Sequence, residues 1–284
     1  MNSSKYNVDI NKKLALSLIS ILLLVSFCSL FFIENHSLIA HDESLYATRA
    51  KLILDTNNWF TPFEEAHHKT IGSYWLIASS FKIFGISEFS ARLPSYIFSI
   101  LSSLVLFKII KNISNLEIGL ISIFTLSSSF LWFSYSKYCS PDTLYIFFNL
   151  LSVLYLLKIN NFLDENINNK YLFITGLFLS LPFFVRSYLQ LLPLISLSPL
   201  ILFKIKKLAY KNTKYFIIGF FLGLIPLFIF FFISYRIYGF DALIRPFLLL
   251  KNKTLTENDI FEGFIFYPRN LIIFSTPFFI FLIN

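Results

Sequence analysis

Residues 14–33 run for twenty positions without a charged side chain, enough for one helical crossing of a bilayer. Seven more apolar stretches follow, at about 94–110, 118–136, 143–159, 171–185, 188–203, 215–235 and 268–283. The pattern predicts an all-α polytopic transmembrane helical bundle of about eight crossings, in a single domain over residues 1–284. Some stretches are only just long enough, and Phe183–Tyr188 fits a tight re-entrant turn between two of them. Pro182, Pro193, Pro199 and Pro226 fall inside predicted helices, where neighbouring helices satisfy the freed backbone groups. Two polar segments interrupt the pattern, about 34–93 and 236–267, and both are expected to be external loops. In the first, Leu45, Ala47, Ala50, Leu52, Ile53 and Leu54, interspersed with Arg49 and Lys51, predict an amphipathic helix on the membrane surface. Trp59 and Trp75 suit the headgroup level, where aromatic belts form. No internal repeat, low-complexity tract or soluble domain is visible.

Composition strengthens the membrane reading. The chain is 56% hydrophobic and 14% charged, where soluble domains carry about a quarter charged residues, and its mean hydropathy is +0.68. The net charge of +8 has a topological source. With the N-terminus inside, the inner segments 1–13, 108–117, 158–170 and 204–214 hold twelve lysines against four acids, which is the whole +8. A basic total of this origin does not imply a nucleic-acid partner. Cys28 and Cys139 are too few and too scattered for a disulfide framework. Phe27 stands where a lipoprotein signal needs a small residue, and no A-x-A cleavage site follows the first apolar run. That run therefore reads as an uncleaved signal anchor.

Candidate chemistry clusters in the first polar segment. Neighbouring carboxylates such as Asp42 and Glu43 bind a divalent cation or take a proton from an acceptor hydroxyl or amine. The plainer alternative is a pair of solvated acids at a helix start, where the dipole favours them. Glu64-Glu65-Ala66-His67-His68-Lys69 precedes Tyr74-Trp75, and Lys69 suits a lipid-linked phosphate. His67 and His68 are candidate metal ligands, although a polar surface turn explains the pair as well. Asp142 follows Pro141 at a helix start and is either a first-turn acid or a functional group at the membrane boundary. Arg92 and Arg186 sit at the ends of apolar stretches, suited to an anionic headgroup or to snorkelling. In the second polar segment Arg236, Arg245, Asp259, Glu262 and Arg269 read as a solvated mixed-charge loop.

Order and context carry more than any single motif. The acidic pair after the first apolar stretch is followed by Tyr46 and Arg49, and then by Lys69 ahead of Tyr74-Trp75. F-G-I-S-E-F-S-A-R-L-P-S follows at 84–95 and S-P-D at 140–142. This series resembles the GT-C superfamily of membrane glycosyltransferases, and within it the bacterial aminoarabinose transferase and protein O-mannosyltransferase group. Ile225-Pro226, Tyr238-Gly239-Phe240 and Phe266-Tyr267-Pro268 are similar to that group too, so the likeness runs along nearly the whole chain.

The resemblance implies a GT-C-like topology and transfer of a sugar from a polyprenyl-phosphate donor to an acceptor on the outer face of a bacterial inner membrane. It implies Asp42 as leading catalytic or metal-organising carboxylate with Glu43 beside it, and Asp142 as the second acid of the cavity. Lys69 would contact the donor phosphate, with Arg92 and Arg186 as further phosphate contacts and Tyr46, Arg49 and Tyr74 as site neighbours. Acceptor candidates are an envelope glycolipid, a polysaccharide or protein hydroxyls. No cofactor is implied beyond a divalent metal, for which Asp42, Glu43, His67 and Glu262 are the candidate ligands. Two departures stand out. Relatives often have Glu-Lys-Pro around the lysine, where this chain has His68-Lys69-Thr70, and no histidine follows His68. Family members are commonly longer, so a shortened transferase is expected, with a non-catalytic partner subunit as the first alternative. A lipid-linked sugar transporter is the second, but it would place its polar groups near mid-membrane rather than at one face.

Overall fold

The computed structural model describes residues 37–38, 42–67, 69–159, 165–207 and 213–252. The expected first and last crossings, at 14–33 and 268–283, lie outside the described residues, as do His68 and Glu262. Every described element is helical: α1 (Asp42–Thr56), α2 (Gly72–Phe84), α3 (Glu88–Ile113), α4 (Leu116–Ser128), α5 (Phe130–Tyr135), α6 (Asp142–Lys158), α7 (Glu165–Ser180), α8 (Phe183–Arg186), a 3₁₀ turn (Ser187–Gln190), α9 (Leu191–Lys207), α10 (Thr213–Tyr238) and α11 (Asp241–Asn252).

Three stretches among the described residues are long and apolar enough to cross a bilayer: Glu88–Ile113, Asn169–Phe203 and Thr213–Tyr238. The middle one is not a single rod. It breaks at Leu181-Pro182 and again through the 3₁₀ turn, and Ile201 near its far end packs in one cluster with Leu172, Leu156 and Ile159. Its arms α7 and α9 therefore run antiparallel, and the tight turn expected at Phe183–Tyr188 is present between them. The stretch expected to cross at 118–136 is split instead. Ser129 is extended (φ −70°, ψ 131°), and its hydroxyl donates to the Leu126 carbonyl and accepts the Trp132 N–H, ending α4 and starting α5.

Local chemistry sets the remaining boundaries. α3 opens on a capping box in which the Ser87 and Ser90 hydroxyls each accept the other's backbone N–H. Gly219 and Gly223 of α10 face Gly176 and Ser180 of α7 so closely that an added Cβ at any of the three glycines would overlap the facing helix. Phe221, Phe228 and Phe232 on α10 are more than half exposed, an apolar face suited to lipid.

The polar end of the bundle is covered by α1 and α2. The buried stripe of α1 is Glu43, Tyr46, Ala47, Ala50 and Ile53, at helical spacing, and it faces protein. The expected membrane-surface helix was read on a different face: Leu45, Leu52 and Leu54 are only half-buried, and α1 packs on Ile71, Tyr74, Ile77 and Phe81. Trp59 and Trp75 are likewise packing residues rather than headgroup anchors. The Trp75 indole donates to the Trp59 carbonyl, and its ring meets Phe184 edge-on at 5.1 Å. Tyr238, ending α10, donates to the Phe63 carbonyl, and Arg245 of α11 pairs with Glu65 at 2.7 Å. The two polar segments thus meet at the same end of the bundle.

A candidate active site under the polar layer

Consecutive residues at a helix start point about 100° apart, and the acidic pair divides accordingly. Glu43 is 1% exposed and turned inward. Arg92 grips it with two hydrogen bonds, Nε to Oε1 at 2.9 Å and Nη2 to Oε2 at 2.8 Å, and the Cys139 N–H adds a third to Oε1 at 2.8 Å. Arg92 also donates to the Ser37 carbonyl at 3.2 Å. Four segments are tied at this point: residue 37, α1, the start of α3 and the approach to α6. Neither Glu43 nor Arg92 lines the neighbouring cavity. Expected as a second catalytic acid and a phosphate contact, they occupy one another instead, because a buried carboxylate needs a paired cation and full hydrogen bonding.

Asp42 faces the other way. It lines a cavity of about 600 Å³ together with Tyr46, Lys69, Tyr138, Asp142 and Arg186, walled on one side by Phe130, Leu131, Ser134 and Tyr135 around α5. Tyr46 stands one turn beyond Asp42 and takes a hydrogen bond from the Lys69 ammonium at 3.0 Å. Burial lowers the Lys69 pKa from its ordinary value, with Arg186 and Arg49 pushing the same way and Asp42 opposing. Burial also raises the Tyr46 phenol well above its usual range, so it stays protonated. Arg186 forms an ion pair with Asp142. Arg49 donates to the Tyr74 hydroxyl at 3.2 Å, behind Tyr46, and Tyr74 is fully buried. Asp42, Tyr46, Lys69, Asp142 and Arg186 thus converge on one cavity, while Arg49 and Tyr74 back it.

The turn at 181–190 holds Arg186 in place, and its supports carry a signal the sequence reading passed over. Gln190 is fully buried and exchanges two hydrogen bonds with Asn149 of α6, while its amide also donates to the Leu179 carbonyl at 2.7 Å. Tyr145 donates to the Leu189 carbonyl at 3.1 Å. Polar Asn149 and Gln190 inside apolar stretches are the readable clue. Ser187, next to Arg186, takes φ +53°, a strained value for a residue with a Cβ. Between this turn and the start of α2 lies a second, smaller cavity of about 70 Å³, lined among others by Lys69, Thr70, Ser73 and Arg186.

The expected metal set does not come together. Both Glu43 oxygens are taken, and the His67 Nδ1 accepts the Lys69 N–H at 2.9 Å, which leaves its ring proton on Nε2. Of the expected donors only Asp42 faces the cavity, and no group of three His, Cys, Asp or Glu converges among the described residues. His67 instead shapes the turn that presents Lys69.

The family model for dolichyl-phosphate-mannose-protein mannosyltransferases matches residues 68–235. The chain belongs to that family. An undecaprenyl phosphate-alpha-4-amino-4-deoxy-L-arabinose arabinosyl transferase of Wigglesworthia glossinidia brevipalpis is 27% identical over 200 residues, which is 68% of this chain and 35% of that protein. The crystal structure of ArnT from Cupriavidus metallidurans in the apo state aligns with a TM-score of 0.69 at 13% identity, covering 83% of this chain and 44% of that one. The same protein bound to undecaprenyl phosphate aligns at 0.67 and 14% identity, covering 81% and 43%. At such identities the likeness to the structures concerns the fold. The chain spans about a third of the arabinosyl transferase and under half of ArnT. With its apolar helices, this family member is a multi-pass membrane protein. The family match takes in Lys69, Arg92, Asp142 and Arg186, whereas Asp42 and Glu43 precede it.

Proposed function

We propose that the chain is a membrane glycosyltransferase that moves a sugar from a polyprenyl-phosphate donor to an envelope glycolipid, polysaccharide or protein. The observation that carries this reading is the convergence of Asp42, Lys69, Asp142 and Arg186 on one cavity of about 600 Å³ at the polar end of the bundle. The name of the Wigglesworthia relative and the undecaprenyl phosphate bound by ArnT support a lipid-phosphate donor. The bundle would sit in a bacterial inner membrane with about eight crossings and the cavity on the external face, as the lysine distribution favours.

In this mechanism Asp42 takes the proton of the acceptor hydroxyl or amine as it attacks the anomeric carbon. The bond from that carbon to the phosphate oxygen breaks, and its electron pair leaves with the lipid phosphate. Lys69 and Arg186 offset the charge that develops on this leaving group. Asp142 orients the Arg186 guanidinium, and Tyr46 fixes the Lys69 ammonium. Glu43 and Arg92 hold α1 so that Asp42 faces the cavity.

The test is transfer of labelled sugar from a polyprenyl-phosphate pool by membranes carrying the chain, beside the Asp42→Asn variant. Transfer lost in the variant, with insertion intact, supports the reading. Equal transfer by the variant would sink it.

A further inference from the structure

The small cavity of about 70 Å³ is lined by Tyr46, Lys69, Thr70, Ser73, Arg186 and Ser187, with Val185, Tyr188 and Leu189 completing it. Its lining carries two cations and several hydroxyls, and neither Asp42 nor Asp142 belongs to it. It shares Tyr46, Lys69 and Arg186 with the large cavity, so the two communicate at the cations. Its size is far below the roughly 300 Å³ at which sites for drug-sized ligands begin, which suits a compact group rather than a sugar ring.

Thr70 gives the cavity its meaning. The residue is 1% exposed, and its hydroxyl finds no hydrogen-bond partner among the described residues. Native folds rarely bury a hydroxyl unbonded without something to bond it. Ser73, 4% exposed, stands in the first turn of α2, whose N-cap position Ile71 offers no side-chain cap. That helix start adds unpaired N–H groups and the positive end of a dipole. On the opposite wall strained Ser187 follows Arg186 directly. Cations, hydroxyl donors and a helix start, with no carboxylate, describe a seat for a tetrahedral oxyanion.

We infer that this small cavity seats the phosphate of the lipid carrier and that the Thr70 hydroxyl donates directly to a phosphate oxygen there, with Ser73 beside it. The inference rests on the transferase reading above and deepens it. The sugar occupies the large cavity beside Asp42, and the bond to be broken lies at the shared cations.

The test uses the full chain in lipid nanodiscs, with undecaprenyl phosphate, undecaprenol and inorganic phosphate as separate probes. Wild type, Thr70→Val and Thr70→Ser are compared for affinity and for thermal midpoint. Valine keeps the shape and removes the donor. The expected result is about tenfold weaker binding of undecaprenyl phosphate by the valine variant, recovery by serine, and a midpoint no lower than wild type, since valine removes an unbonded buried hydroxyl. Unchanged binding by Thr70→Val overturns the inference, and so does a lowered midpoint, which would make the hydroxyl structural. A valine effect on inorganic phosphate alone would assign the seat to free phosphate and overturn the lipid assignment. Wild type that binds undecaprenol as well as undecaprenyl phosphate would remove the transferase reading too, which separates the two failures.

Discussion

Glu43 commits both oxygens to Arg92 and the Cys139 N–H while Asp42, one residue earlier, faces the cavity, so one kind of substitution should fail in two ways. Asp42→Asn removes the proposed base from a solvated position. Transfer should fall by about 100-fold or more with the thermal midpoint unchanged. Glu43→Gln leaves Arg92 buried with its charge uncompensated, at a cost of about 3–5 kcal/mol. Its midpoint should fall sharply, while activity per folded molecule stays near wild type. Scanning calorimetry beside the transfer assay separates the cases, and a Glu43→Gln protein as stable as wild type would contradict the pairing. The acids were legible in the sequence as a pair. Their division was not, because the partner that claims Glu43 lies 49 residues away and carries no local signal. Lys69 adds a pH effect. Its folded pKa lies below the ordinary 10.5, so the unfolded chain binds more protons between the two values and stability rises with pH there. Phosphate binding runs the opposite way, since it needs the ammonium. Affinity for undecaprenyl phosphate should decline on the alkaline side before pH 10.5, and Lys69→Arg should abolish that decline. Titrations of affinity against pH in both proteins check this.

At the scale of elements, the turn between α7 and α9 decides where Arg186 stands, and α2 braces it. A Cβ added at Gly72 would come within 2.5 Å of the Phe184 carbonyl oxygen, so Gly72→Ala must push α2 and α8 apart. Stability should drop by about 1–3 kcal/mol from overpacking. Transfer per folded molecule should drop by up to about 100-fold, because α8 carries Arg186 and a shift on the order of 1 Å misplaces it. A Gly72→Ala enzyme with wild-type turnover would mean that Arg186 is placed by other contacts. Pro182 and the gap between the two apolar stretches made this turn readable in advance. The break at Ser129 was not, because composition alone continues the apolar run and only the serine hydroxyl's competition for backbone groups ends the helix. The α1 face was misread for a related reason: a mixed helix under a protein layer buries Glu43 and Tyr46, which an apolar-only reading assigns to the polar side.

For the whole molecule, hydropathy made the bundle legible but left its handedness in the membrane to charge. The starts of α3 and α6 and the ends of α8 and α10 gather at the cavity end, through Glu43–Arg92, Asp142–Arg186 and Tyr238 with Phe63. Lys108 and Lys111 near the end of α3, Lys158 at the end of α6 and Lys214 at the start of α10 gather at the other. Positive residues are retained on the cytoplasmic side, so the cavity should open outward, where a lipid-linked sugar meets envelope acceptors. Single cysteines test this in intact cells with a membrane-impermeant maleimide. Thr48 on α1 and Asn112 at the far end of α3 are both exposed, so each accepts the label once it is reachable. Cys139 is fully buried and stays silent, and Cys28→Ser removes the other thiol. Thr48→Cys should react in intact cells and Asn112→Cys only after permeabilisation. The reverse pattern would place Asp42 in the cytoplasm and force a donor presented from that side, with the same residues in the same cavity but a different pool of acceptors.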